Sequence, residues 1–244
     1  MIDLITHPLT NSILIADGGT LGSYWRFLTS PTVEIVSNPF LNYILTFDRN
    51  STVVENMYHF ESIVYGTCSI SFWFLLKATT GRRPCVNHRR QCFTFDFREA
   101  LSAPNVRNRP PHVNISLDID SARHMKFKVK KSYAENWTLS SGSDELILET
   151  GRWHHLALVL RMKKNALNIY LDGENYIEFE PTQQFAIPFR YVAIGLNFEE
   201  GSAADIGFWR RRLWSTEVSA IYRQKTTLDK VDLLQEMLTN MKIT

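Results

Sequence analysis

The strongest local charge signal in the chain is Gly81-Arg-Arg-Pro-Cys-Val-Asn-His-Arg-Arg-Gln-Cys92, which sets Arg82, Arg83, Arg89 and Arg90 around His88. Guanidinium groups present planar donor forks that match sulfate, phosphate and carboxylate, so these five residues are the first candidates for ligand binding. If Cys85 and Cys92 pair, the loop becomes a rigid basic finger that gives up little conformational freedom on binding. Arg210-Arg-Arg212 would extend the patch. The competing reading is a solvated loop whose charges keep a sheet edge from aggregating. Asp118 and Asp120 form a second candidate, since carboxylates at alternate positions share one face of a strand and could act as acid and nucleophile on a sugar bond. Ser121-Ala-Arg123 follows directly, which favours a turn in which aspartates satisfy backbone donors. The chain contains no G-x-S-x-G, H-E-x-x-H or phosphate-loop pattern, so nucleophilic-serine, zinc-protease and nucleotide chemistry have no candidate.

Charge and composition narrow the classes further. Lys+Arg total 27 against Asp+Glu 25, a net +2 that is too small for a protein tracking nucleic acid over its surface, and no nucleic-acid partner is expected. No run approaches the roughly 18 apolar residues of a membrane span, so no direct membrane insertion is expected. Met1–Pro8 has neither a basic start nor an apolar core of a signal peptide, although such a segment could lie outside these residues in a longer protein. Three cysteines leave one odd thiol, Cys68, and none has C-x-x-C spacing, so zinc is not expected. Asn50, Asn114 and Asn136 each open a glycosylation sequon. The sequons and a Cys85–Cys92 bridge would fit an extracellular or secretory-pathway protein; in a cytoplasmic one they would be idle.

The elements that must position these groups are mostly strands. Trp, Tyr and Phe number 6, 9 and 15, and rings of this size favour sheets. In Cys68–Leu76, Ile70, Phe72, Phe74 and Leu76 share one face while Trp73 and Leu75 share the other, which predicts a central strand buried on both sides. Phe93, Phe95 and Phe97 alternate with polar residues, as do Val113, Ile115, Leu117 and Ile119, and Met125, Phe127 and Val129 alternate with lysines. These are half-buried strands. His155–Arg161 and Leu167–Leu171 read as two strands joined at 163–165, and Asp172-Gly173 supplies the turn into Asn175–Phe179. Strands near 190–197 and 204–209 follow, then helical periodicity over Thr216–Tyr222 and an amphipathic helix or linker over 226–244. Strands and helices do not alternate, which disfavours a parallel sheet.

Four stretches resemble the laminin G-like and pentraxin-like concanavalin A-type lectin domains. They are Ser69-Ile-Ser-Phe-Trp-Phe; Gly151-Arg-Trp-His-His-Leu-Ala-Leu-Val with Leu167-Asn-Ile-Tyr-Leu-Asp-Gly; Val192-Ala-Ile-Gly195 before Gly201; and Asp205-Ile-Gly-Phe-Trp209 running to Glu217-Val-Ser-Ala-Ile-Tyr222. The resemblance implies an all-β jelly-roll sandwich of two antiparallel sheets with a short helix near the C-terminus, forming a single domain over residues 1–225. In this setting Trp153 is expected to fill the core, and one of His154 and His155 to face inward and satisfy a carbonyl. Ser215 is expected to take over as helix cap where Trp214 replaces the family's usual serine.

Pentraxins bind calcium through acidic loop residues, and the equivalent loop here offers Glu199, Glu200 and Asp205 as candidate ligands, short of the about six to eight oxygens calcium takes. Apart from calcium, no cofactor is expected. The pentraxin disulfide has no second half, because the strand after Trp153 lacks a cysteine. The function implied is a non-enzymatic recognition or adhesion module, part of a larger multidomain protein, binding glycan such as an acidic polysaccharide, or protein, through its end loops. One alternative is an intracellular scaffold domain, and another is a glycoside hydrolase-like enzyme using Asp118 and Asp120.

Overall fold

The computed structural model describes residues 66–77, 85, 91–99, 112–131, 147–198, 200–209 and 211–223, with the backbone of strands at 24–27, 32–35, 43–47, 54–64 and 135–139. The described residues form fourteen strands: β1 (Tyr24–Phe27), β2 (Thr32–Ile35), β3 (Tyr43–Phe47), β4 (Val54–Val64), β5 (Thr67–Leu76), β6 (Phe93–Arg98), β7 (His112–Ile119), β8 (Met125–Lys131), β9 (Glu135–Leu139), β10 (Trp153–Arg161), β11 (Ala166–Leu171), β12 (Glu174–Phe179), β13 (Phe189–Leu196) and β14 (Gly201–Trp209). Among the described residues one α-helix, α1, covers Ser215–Tyr222. The first sheet runs β1-β4-β13-β6-β7-β8-β9 and the second β12-β11-β10-β5-β14-β3-β2. Every pairing is antiparallel, as in β5 with β10 and β6 with β7, which makes a two-layer jelly-roll sandwich. The proposed 226–244 segment lies outside the described residues.

The period-2 patterns place the core. Phe93, Phe95 and Phe97 of β6, Val113, Ile115, Leu117 and Ile119 of β7 and Phe127 and Val129 of β8 point between the sheets, and Ile70, Phe72 and Phe74 of β5 meet them from the other layer. Phe72 reaches Phe93 at 4.6 Å between ring centroids, and Phe74 meets the same ring edge-on at 5.2 Å. Each such ring, fully buried, is worth about 1.5–3 kcal/mol relative to leaving it in water.

The second sheet is apolar on its outer face too. Ala157, Val159, Tyr170 and Trp209 are covered there by Leu213, Val218 and Ile221 of the last segment, and Trp73 with Ala204 packs against Trp153 and Tyr222. Trp153 and Trp209 therefore lie on this outer layer and not between the sheets. Their parity along the strand decides this, since Leu156 and Phe208 take the inward positions. The last segment is latched by Ser69, whose hydroxyl donates to Arg211 O at 2.8 Å and accepts from Leu213 N at 2.8 Å.

Between Ala204 and Gly207, β14 carries a register shift against β5. Ala203 and Phe208 both face the inter-sheet core, although positions five apart on a regular strand face opposite ways. Gly207 has no freedom to change, because a Cβ there would sit 2.3 Å from the Trp209 ring. The helix begins at Trp214 as N-cap, not at Ser215, which is exposed. Glu217 makes half of a capping box, accepting from Trp214 N at 2.7 Å, but an indole cannot return the bond to the helix amides.

After β10, a single 3-10 turn over Met162–Lys164 ends at Asn165 in the left-handed region, φ 53°. The Asn165 amide donates to Pro181 O and Gln183 O at 2.8 Å each and accepts from Phe185 N at 2.9 Å. It thereby fixes the segment that carries the fully buried Phe185 into the core. Asn165→Ala, which loses these bonds and strains the backbone, should cost about 2–4 kcal/mol in urea unfolding, and Asn165→Gly, which keeps the backbone, should cost less. Equal losses for both would mean the left-handed backbone contributes nothing.

Candidate functional site

Cys85 and Cys92 are joined by a disulfide with Cα atoms 4.8 Å apart, and both are buried in the inter-sheet core. The bridge is held from several strands at once. Cys85 pairs with Phe198, Cys92 N donates to Leu117 O at 2.8 Å, and Cys92 O accepts from Asn197 N at 2.8 Å. Arg82, Arg83, His88, Arg89 and Arg90 lie outside the described residues. The first described residue after them is Gln91, whose side-chain amide donates to Ser116 Oγ at 3.2 Å.

Arg211 and Arg212 stand by the start of β5, whereas Cys85 pairs with Phe198 by its end. They follow Trp209, which pairs with Ser69 at the start of β5, whereas Gly201 and its neighbour Phe198 sit by Leu76 at its end. Arg211 is held by Glu217 through two bonds of 2.9 and 3.1 Å, and the Arg212 guanidinium lies over the Trp214 ring at 4.5 Å.

The paired aspartates are turn and ion-pair residues. Asp120 accepts from the backbone of Ala122 and His124 at 2.9 and 3.0 Å, and its other oxygen faces the His124 ring at 3.3 Å. Burial alone would raise this carboxyl, but the His124 backbone bond and ring and the Ala122 bond hold it below the ordinary carboxylate range. An acid catalyst needs the opposite shift. Asp118, on β7, is buried with Lys128 at 3.8 Å.

Of the calcium candidates, only Glu200 is described with its side chain, and its backbone carbonyl already accepts from Lys77 N at 3.4 Å. No group of three or more His, Cys, Asp or Glu gathers as a metal site among the described residues. Glu199 and the side chain of Asp205 lie outside the described residues. Asn114 is half-buried on β7, and Asn136 stands opposite Lys130 on β9; Asn50 lies outside the described residues.

The tandem histidines serve the hairpin of β10 and β11. Asp172 and Gly173 occupy the turn at φ 49° and 84°, where any Cβ on Gly173 would meet the Tyr222 ring at 2.9 Å. The Asp172 carboxylate binds His154 Nδ1 at 2.9 Å and accepts from His155 N at 2.9 Å, while His154 Nε2 meets Glu149 O at 3.0 Å. Burial would raise the Asp172 carboxyl, but His154, the His155 amide and Arg152 together lower it.

His154 is therefore the inward histidine bound to a carbonyl. His155 faces the other way, yet it too is fully buried, under Trp73 at 5.1 Å. Its Nε2 lies 2.8 Å from Ser71 Oγ, a contact that resembles an activated nucleophile. Both groups are sealed from solvent, and Asp172 addresses the His155 backbone and not its ring, so the pair is structural.

Burial lowers the His155 ring to about 3, with Asp172 opposing. Between that value and its ordinary 6.5 only the unfolded chain takes up the proton, so acid shifts the balance toward unfolding. This group alone should cost about 2 kcal/mol of stability between pH 7 and pH 5, whereas Asp172 adds its loss only below the ordinary carboxylate range. Urea titrations across this interval should show a slope that His155→Gln flattens; an unchanged slope would place the titration elsewhere.

Two antiparallel sheets enclosing an aromatic core define a lectin-like jelly-roll domain. The chain belongs to the Laminin G 3 family of the concanavalin A-like lectin/glucanase superfamily, whose model matches residues 59–219. No curated protein matches the chain.

Among solved structures it is similar to the ligand-binding domain of botulinum neurotoxin serotype D in complex with N-acetylneuraminic acid, with TM-score 0.54 and 11% identity over 86% of this chain and 48% of that one. It is also similar to a botulinum neurotoxin type C structure whose cell entry depends on two ganglioside molecules, with TM-score 0.51 and 11% identity over 86% and 48%. A third is the binding domain of Paraclostridial Mosquitocidal Protein 1, with TM-score 0.52 and 12% identity over 84% and 48%. The chain thus spans about half the length of these solved chains. Identities this low speak to the fold alone.

Proposed function

We propose that this domain is a non-enzymatic recognition module that binds glycan, acidic polysaccharide included, through the loop end closed by Cys85 and Cys92, as part of a longer chain. The observation that carries the reading is the anchoring of that bridge. Both sulfurs are buried in the inter-sheet core, so the segment bearing His88, Arg89 and Arg90 starts and ends on fixed points. A short closed loop keeps few conformations to lose, and guanidinium forks suit carboxylate and sulfate. Support also comes from the family's lectin character and from the sialic acid and ganglioside named for two fold neighbours. The commitment of Asp120 to its turn and the burial of Ser71 and His155 weigh against an enzyme. The disulfide fits an extracellular or secretory-pathway setting.

Replacing Arg82, Arg83, Arg89 and Arg90 together by alanine should lower the salt concentration that elutes the domain from heparin, since each lost contact reduces counterion-linked binding. The melting temperature should stay within about 2 °C, because charges on such a loop contribute little to stability. Unchanged elution would overturn the basic-loop site.

A further inference from the structure

Trp214 is the one aromatic side chain that stands exposed among the described residues, at 48%. Its position makes the exposure costly. The backbone there is extended (φ −77°, ψ 156°) and the residue is the N-cap of α1, where a serine, threonine or aspartate side chain would accept from the helix amides. An indole accepts nothing, and no hydrogen bond to its N–H is present among the described residues. A side chain that breaks a local folding rule without a compensating packing gain marks a surface kept for another purpose.

The ring is also held in place. The Arg212 guanidinium lies over its face at 4.5 Å, and the adjacent Arg211 is fixed by Glu217 and by its own bond to Arg212 O at 2.9 Å. One face of the indole is thus covered by a cation while close to half of the side chain remains open, a platform presented without rotamer freedom to lose.

The surroundings select the ligand chemistry. Ser215 and Thr216 beside it are exposed and polar, and the other exposed large hydrophobic among the described residues, Ile147, bridges to His124 just before β8. A protein partner or a bilayer would call for a continuous apolar patch, which the described residues around the ring, hydroxyls and guanidinium groups, do not form. A pyranose does fit, because its C–H face can lie on the indole while its hydroxyls meet the polar rim.

We infer that Trp214, positioned by Arg212, is a sugar-stacking site separate from the disulfide-closed basic loop. The inference rests on the glycan-recognition reading above but not on the basic loop. Leu213 is latched at Ser69, near the start of β5, and Phe198 with Cys85 sits near its end at Leu76. These two ends are separated by about 24 Å at the usual strand rise.

The test compares the native domain, Trp214→Ser, Trp214→Phe and the four-arginine variant on a printed panel of neutral, sialylated and sulfated oligosaccharides, with thermal melts alongside. Trp214→Ser should lose about tenfold or more in binding to the neutral and sialylated members. Its melting temperature should hold or rise by about 2–4 °C, because serine restores the cap. Trp214→Phe should retain part of the binding, and the four-arginine variant should keep its neutral-sugar signal.

Native-like binding by Trp214→Ser across the whole panel would overturn this site while leaving the recognition reading intact. A panel on which the native domain binds nothing would overturn both. In a parallel flotation assay with phosphatidylcholine vesicles, native binding that Trp214→Ser loses, with the sugar panel unchanged, would make Trp214 a membrane contact and overturn the assignment.

Discussion

A strand with two apolar faces has to be covered twice, and β5 imposes that requirement on the whole domain. Its inward side, Ile70, Phe72, Phe74 and Leu76, calls for a second sheet, and its outward side, with Trp73, calls for something that is not a sheet. The segment from Leu213 to Tyr222 answers the second demand. Ser69 pins its start, and the stacking of Tyr222 on Trp73 at 5.9 Å secures its end. Glu217, wholly buried, draws Arg211 and the Trp214 amide into the same arrangement. Burying a carboxylate is tolerable only because every contact to it is charge-assisted.

Much of this was legible in the chain because the patterns are strict. Lysine alternating with Met125, Phe127 and Val129, and the two-sided run at Cys68–Leu76, leave one arrangement each, and the Asp172-Gly173 turn gives the hairpin its register. The strands before Thr67 were not read, since Val54–Val64 mixes polar and apolar residues at both parities. Trp153 was misplaced because a large ring says that it is buried without saying on which side of a sheet. The Ser69 latch joins residues 144 apart in sequence, and a serine inside an apolar strand announces no such partner.

The candidate chemistry was sorted by solvent access and hydrogen-bond demand more than by residue type. Asp120 and the Ser71–His155 pair each resemble catalytic parts, yet the first is consumed by backbone amides and the second is sealed beneath Trp73. Trp214 shows the converse. Sequence marks it only as an odd cap, and its significance comes from its exposure and the guanidinium over its ring.

The shift in β14 also governs how the gene can change in length. Because one irregular step between Ala204 and Gly207 lets Ala203 and Phe208 share the inner layer, the downstream half of the strand is set by counting as much as by chemistry. A deletion of one codon at that step would remove the extra residue and leave Ala203 and Phe208 four apart on a regular strand, still on one face, whereas a single deletion between Gly207 and Trp209 would drive the Trp209 indole between the sheets. The bulge can therefore give up its one extra residue with both layers still filled, while in the regular stretches on either side insertions and deletions must come in pairs.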